Sequence, residues 1–216
     1  MSKKDRYELR LVNGLFNIVR NDVPQKGFAT YQEVMNWSME HNISFIKFPI
    51  VELLNRNNEV GKGYVEIWMY KAAKGGLFSW LISMQEKIDK HDFAKGLYSH
   101  VEVCFPTLGV CWSSSEVDGG TRFKFIKRDN KKWDAFMQPV KDIVKIAQTC
   151  EDITPAAYDW LAIAHFLIRW IKDSLKRFVC SEGVHHVMMS DGTWPALSYI
   201  PAPGDIYDCF FSDIKV

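Results

Sequence analysis

A chain of 216 residues, 47% of them hydrophobic, can bury one sizeable core, which favours one domain with an appendage over two equal domains. Its 27 basic and 26 acidic side chains nearly cancel, so no global field draws it to nucleic acid or to an anionic membrane. Any partner must be recognised locally.

Tyr7 to Val19 places Leu9, Leu11, Val12, Leu15, Phe16 and Val19 at mixed spacings of three and four, which predicts an amphipathic helix. Thr30 and Glu33 form the Thr-x-x-Glu pattern of a capping box, with Val34, Met35, Trp37 and Met39 behind it, so a second helix is expected there. Residues 1–62 are read as a helical N-terminal appendage. The polar run Asn55-Arg56-Asn57-Asn58, followed by Gly61 and Gly63, closes it.

From Tyr64 the period changes to two: Val65, Ile67 and Met69 alternate with Glu66, Trp68 and Tyr70, as in a half-buried strand. Phe78 to Ile88 has helical spacing. Three strand-like runs follow, Ser99 to Phe105, Val110 to Glu116 and Thr121 to Ile126, and they predict a meander joined by Pro106-Thr107-Leu108-Gly109 and Asp118-Gly119-Gly120. Beyond them, Pro139 to Gln148 is expected to be helical. Thr154-Pro155 reads as an N-cap with proline at the first helical position, opening a helix through about Lys172. Cys180 should begin another helix, through Val184, Val187 and Met188, and the tail around Pro195, Pro201, Pro203 and Gly204 reads as extended chain and turns.

Cys104, Cys111, Cys150, Cys180 and Cys209 are odd in number and irregularly spaced, with no CxxC pair, and the charged start at Met1-Ser2-Lys3-Lys4-Asp5-Arg6 carries no secretory signal. That pattern argues against a disulfide framework and a zinc knuckle, and makes the cytoplasm the expected compartment. The greasiest stretch, Trp160 to Ile168, is interrupted by His165, followed by Arg169, and is shorter than the roughly 20 apolar residues a spanning helix needs. Trp37, Trp80, Trp133 and Trp194 lack the basic interleaving of a nucleic-acid stacking surface.

Side chains two apart on a strand share a face, so His100, Glu102 and Cys104 point one way and Val101, Val103 and Phe105 the other. With Thr107 and Leu108 at a hairpin tip, His100 falls opposite Ser115 and Glu102 opposite Ser113. An imidazole base needs one nitrogen on its nucleophile and the other held by a polar group, and Glu102, Ser115 and Glu116 are the candidates to hold it. The nucleophile is Cys180, placed where a strand-like approach turns into a helix. Free N–H groups at a helix start favour a thiolate and can bind an oxyanion. Tyr158, in Tyr158-Asp159-Trp160, is a candidate oxyanion donor. His185 and His186 would face different directions on a helix, so they are read as packing and surface, and the other four cysteines as buried thiols.

The motifs Ser99-His100-Val101-Glu102-Val103, Ser113-Ser114-Ser115 with Asp118-Gly119-Gly120-Thr121-Arg122, Tyr158-Asp159-Trp160 and Val179-Cys180-Ser181-Glu182 together resemble one family. It is the circularly permuted papain-like cysteine amidases related to the NlpC cell-wall peptidases, the YiiX/YaeF-like group, which includes phage-encoded members. In that group the histidine strand precedes the cysteine helix, as it does here. The resemblance implies Cys180 as nucleophile, His100 as base, Ser115 or Glu116 as the third residue with Glu102 as a substitute, and Tyr158 assisting the oxyanion.

The expectation is therefore an α+β protein, with residues 1–62 the appendage and residues 63–216 a permuted papain-like catalytic domain with an antiparallel sheet packed against helices. It would cleave an amide bond, such as one in a peptidoglycan peptide, through a thioacyl-enzyme, with no cofactor and no metal. The expected partners are a peptide or amide substrate and a protein bound through the N-terminal helices, without nucleic acid or an integral membrane segment. The location would be the cytoplasm, the host's if phage-encoded, or a virion. Two alternatives share these residues: a non-catalytic virion or host-interaction protein on a papain-like scaffold, and a thioesterase or acyltransferase.

Overall fold

The computed structural model describes residues 5–61, 63–71, 98–158 and 177–212, with only the backbone for Tyr158, Arg177 and Phe178. Among these residues the chain is α+β: one large mixed sheet and five helices. The strands are β1 (Tyr7–Val12), β2 (Leu15–Arg20), β3 (Val23–Phe28), β4 (Ser44–Lys47), β5 (Gly63–Lys71), β6 (Tyr98–Phe105), β7 (Val110–Ser115), β8 (Gly120–Phe125), β9 (Trp133–Val140), β10 (Ala157–Tyr158) and β11 (Arg177–Phe178). The helices are α1 (Tyr31–Glu40), α2 (Ile50–Arg56), α3 (Ile143–Asp152), α4 (Cys180–Ser190) and α5 (Pro203–Phe210). The main path of the sheet runs β3-β2-β1-β4-β8-β7-β6-β5-β9, with β10 joined to β8 and β11 to β10.

The helix expected over Tyr7 to Val19 is a β-hairpin. Asn13 and Gly14 both take positive φ, 51° and 78°, as a two-residue turn matched to strand twist requires, and that turn splits the apolar run into β1 and β2. Asn21 and Asp22, at φ 49° and 66°, repeat the device between β2 and β3. Local turn chemistry overrides the helical spacing here. Nor do these residues stand apart from the rest: β1 pairs in parallel with β4, and β4 pairs with β8 through Ser44↔Lys124 and Phe45↔Phe123.

α1 forms where the capping box placed it. Thr30 Oγ1 accepts from Glu33 N at 3.3 Å and Glu33 Oε2 accepts from Thr30 N at 3.0 Å. Downstream, β5 and the β6–β7–β8 meander follow the sequence pattern, and the pairs Val103↔Trp112, Cys104↔Cys111 and Phe105↔Val110 have the register expected of the hairpin.

One face of the sheet is apolar. Val65, Ile67, Met69, Val101, Val103, Phe105, Val110, Trp112 and Phe123 are all buried on it, each worth about 1.5–3 kcal/mol of transfer free energy for a side chain of this size. α4 packs on β6 and β7 from this side and leans on α3. Trp112 satisfies its indole by donating from Nε1 to Thr154 Oγ1 at 2.8 Å.

The C-terminal half departs from expectation in three places. Pro139 and Val140 belong to β9, and α3 starts only at Ile143, because Asp142 Oδ1 caps it by accepting from Val144 N and Lys145 N, both at 3.1 Å. Thr154 is not an N-cap; its hydroxyl donates back to Cys150 O, closing α3, and the chain continues into β10. The tail is not wholly extended: Pro203 stands in the first turn of α5 and Asp205 Oδ2 accepts from Ala202 N at 2.9 Å. The helix expected over Phe78 to Ile88, and the part beyond residue 158 of the helix expected from Pro155 to about Lys172, lie outside the described residues.

Both outer strands of the main path carry a proline, Pro24 in β3 and Pro139 in β9.

Candidate active site

The position of Cys180 is set by backbone approach. Gly120 opens β8 at φ +147°, and a Cβ there would stand 2.0 Å from Ala156 O. Glycine alone lets that carbonyl reach Thr121 N, at 2.9 Å, and lets Ala157 pair with Gly120. β10 thus anchored pairs in parallel with β11, Tyr158 opposite Phe178, and two residues later Cys180 is the first residue of α4. Glu182 Oε2 accepts from Val179 N at 3.3 Å, tying down the helix start.

His100 comes from the other direction, on β6. Its imidazole lies beside the Cys180 thiol, close enough for each to act on the other's charge, while Nε2 donates to Glu102 Oε1 at 3.1 Å. That leaves Nδ1 as the nitrogen for the sulfur. Backbone N–H groups of Val101 and Ser181 also reach the sulfur, one from the strand and one from the helix start. The thiol is buried, Cys180 being 4% exposed, and the imidazole, with 24% of its side chain exposed, is the open flank of the pair.

Each member makes the other's charged form favourable. Burial works against both charges, but the Cys180 sulfur and the Glu102 carboxylate outweigh it at His100 and push its pKa up to about 9. At Cys180 burial again opposes ionisation, and the His100 charge with the hydrogen bonds to the sulfur brings the thiol below its ordinary value. Cys150 shows the contrast. Buried without a cationic partner, it is pushed well above the usual thiol range.

Glu102 has 1% of its side chain exposed, and it is held as a carboxylate by Arg122. Arg122 donates from Nη2 to Oε1 at 2.7 Å and from Nη1 to Oε2 at 3.1 Å, a bidentate pair. Burial would raise the carboxyl, but the guanidinium charge beside it prevails and brings it down to about 2. Arg122 Nε in turn donates to Asp118 Oδ2 at 2.9 Å.

Of the three candidates to hold the imidazole, Glu102 accepts the hydrogen bond from Nε2. Ser115 is buried and its Oγ accepts from Asp118 N at 3.4 Å, in the β7–β8 turn, where the backbone carbonyl of Glu116 also accepts from Gly119 N at 3.1 Å. The Tyr158 side chain lies outside the described residues. His185 is buried with Nε2 on Pro195 O at 3.0 Å, and His186 is exposed, consistent with packing and surface roles.

The residue that sequence reasoning missed is Arg122. Its signal was a charged side chain between Thr121 and Phe123 in a central strand, a place that is stable only with a buried counter-charge. The cysteine expectation is also corrected, because Cys104 and Cys111 form a disulfide, being directly opposed on β6 and β7. Glu102 Oε and the two sulfurs lie within 4.8 Å of one another, but the sulfurs are bonded to each other and both carboxylate oxygens are held by Arg122, so the trio has no free donor for a metal.

Beside His100 stands an aromatic row. Tyr70 is directly opposite on β5, Trp133 lies opposite Tyr70 on β9, and the Trp133 ring is 6.1 Å from the imidazole at 67°.

Compared with family models, with curated proteins and with solved structures, the chain matches none of them. No helix among the described residues is long and apolar enough to cross a membrane.

Proposed function

We propose that this protein is a cysteine hydrolase that cleaves an amide bond, in a peptide or a related substrate, through a thioacyl-enzyme. The observation that carries the reading is the His100 imidazole set between the Cys180 thiol and a buried, arginine-held carboxylate. The order of histidine strand before cysteine helix supports the likeness to the permuted papain-like amidases.

In the first step the Cys180 thiolate adds to the carbonyl carbon, and the His100 imidazolium gives its proton to the leaving amine as the C–N bond breaks. Water then adds to the thioester, His100 takes its proton, and the C–S bond breaks to release the acid and restore the thiolate–imidazolium pair. Glu102 holds the imidazole in orientation and favours its charged form between the steps.

The test is alkylation with substoichiometric iodoacetamide from pH 5 to 9, with the modified cysteine mapped by mass spectrometry. Cys180 should be labelled at pH 6 ahead of Cys209, which is exposed, and Cys150, which is buried, and this preference should vanish in His100→Ala. Labelling that follows exposure alone, unchanged in the variant, would overturn the reading.

A further inference from the structure

The charged groups behind the imidazole continue beyond Arg122. Asp118, in the turn between β7 and β8, takes Arg122 Nε on Oδ2 and Lys124 Nζ on Oδ1 at 3.3 Å, and Oδ1 also accepts from Ser44 Oγ at 2.9 Å. In order from the nucleophile the groups are Cys180, His100, Glu102, Arg122, Asp118 and Lys124. With the thiol ionised and the imidazole protonated, their charges alternate and sum to zero. Asp118, Arg122 and Lys124 are all substantially buried, at 12%, 5% and 14% side-chain exposure, so water screens the row only weakly.

We infer that Asp118 is a positioning residue for the Cys180–His100 pair, acting through Arg122 and Glu102, and that Ser44 ties this outer end of the row to the N-terminal strands. The inference rests on the reading of Cys180 and His100 as the reacting pair.

The physical argument has two parts. Arg122 faces two carboxylates, and without Asp118 its charge would be balanced by Glu102 alone. Glu102 would then be drawn toward the guanidinium and its hold on Nε2 would loosen. Independently, removal of an anion makes the potential at the imidazole more positive and disfavours the imidazolium. Both parts lower the pKa of His100. Loss of the Lys124 cation at the far end has the opposite electrostatic sign. Among the described residues, the titratable or charged groups around the imidazole are Cys180 from α4, Glu102 on its own strand, Tyr70 opposite on β5, and Arg122 and Asp118 behind Glu102.

The experiment follows the imidazole Cε1–H resonance of His100 against pH by NMR, assigned by its loss in His100→Ala, in the wild type and in Asp118→Asn, Asp118→Glu, Lys124→Gln and Ser44→Ala. Asp118→Asn should lower the midpoint by about 0.5–1 pH unit, less than the 1–3 units of a direct charged neighbour. Asp118→Glu should restore part of that, Lys124→Gln should shift it upward, and Ser44→Ala should give a smaller downward shift.

A merely structural Asp118 would not produce opposite signs at the two ends of the row. A wild-type midpoint near 9 that neither Asp118→Asn nor Lys124→Gln moves, in folded variants, overturns the inference alone. A wild-type midpoint at the ordinary histidine value of about 6.5 overturns the reading of the pair and the inference with it.

Discussion

Replacing Glu102 by Gln keeps the shape of the side chain and removes the charge at the centre of the site. His100 is raised by burial-opposed attractions from 6.5 to about 9, a net of about 3.4 kcal/mol at 1.36 kcal/mol per unit. Unit charges about 4 Å apart at an effective dielectric of 20 attract by about 4 kcal/mol, so the carboxylate at 3.1 Å can supply much of that, shared with the Cys180 sulfur. His100 in Glu102→Gln should therefore titrate about 1–2 units lower.

Stability should fall as well. Holding the Glu102 carboxyl at about 2 rather than 4.5 is worth about 3 kcal/mol at neutral pH, and removing one member of a buried ion pair typically costs about 3–5 kcal/mol because the other charge is left uncompensated. For a chain of this size that corresponds to a melting temperature about 6–20 °C lower. Histidine NMR titration and urea unfolding of the same samples read both effects. A folded variant whose His100 midpoint is unchanged, or one that loses less than about 1 kcal/mol, would refute the account of Glu102 as the charged partner of both groups.

The pH dependence of stability has a definite sign for each group. The His100 contribution is fully present below about 6.5 and is lost as pH rises through about 9, while the Cys180 thiol, held below its ordinary value, contributes with the opposite sign, so wild-type unfolding in urea should stay nearly level from pH 7 to 9, and a steep loss there would mean that the thiol is not ionised beside the imidazolium. The Glu102 contribution is present above about 4.5 and is lost as pH falls through about 2, which Glu102→Gln should flatten. Gly120→Ala should destabilise the fold by about 3 kcal/mol or more in the same assay, because its Cβ would displace the Ala156 carbonyl from Thr121. Wild-type stability in that variant would mean that the β8–β10 approach is not held as described.

That Cys180 and His100 meet was legible in the sequence because their two motifs each combine a chemically capable residue with a recognisable local context, a strand for His100 and a helix start for Cys180. The same hairpin register that sets His100 against Ser115 also sets Cys104 against Cys111, so the disulfide was implicit in a pairing already predicted, and counting cysteines along the chain obscured it. Arg122 was harder, since its importance comes from Glu102, 20 residues away and two strands across. At Tyr7 to Val19 the apolar positions fit both periods, and the Asn13-Gly14 turn, a signal present in the sequence, decides for strands. Pro139 fits the outer strand β9 because an edge tolerates a residue without an N–H.

The prolines at the two margins of the main sheet bear on how these molecules behave at high concentration. A strand at a margin offers unpaired N–H and C=O groups to any other strand that drifts alongside, and a broad sheet such as this one has long margins to protect. Pro24 withdraws one donor from β3, and the exposed Lys26 adds a charge that an incoming copy would have to bury. Pro139 withdraws one from β9, beside the exposed Met137. Each margin is thus a poor template for a further strand, which favours separate molecules over sheets that grow edge to edge into aggregates.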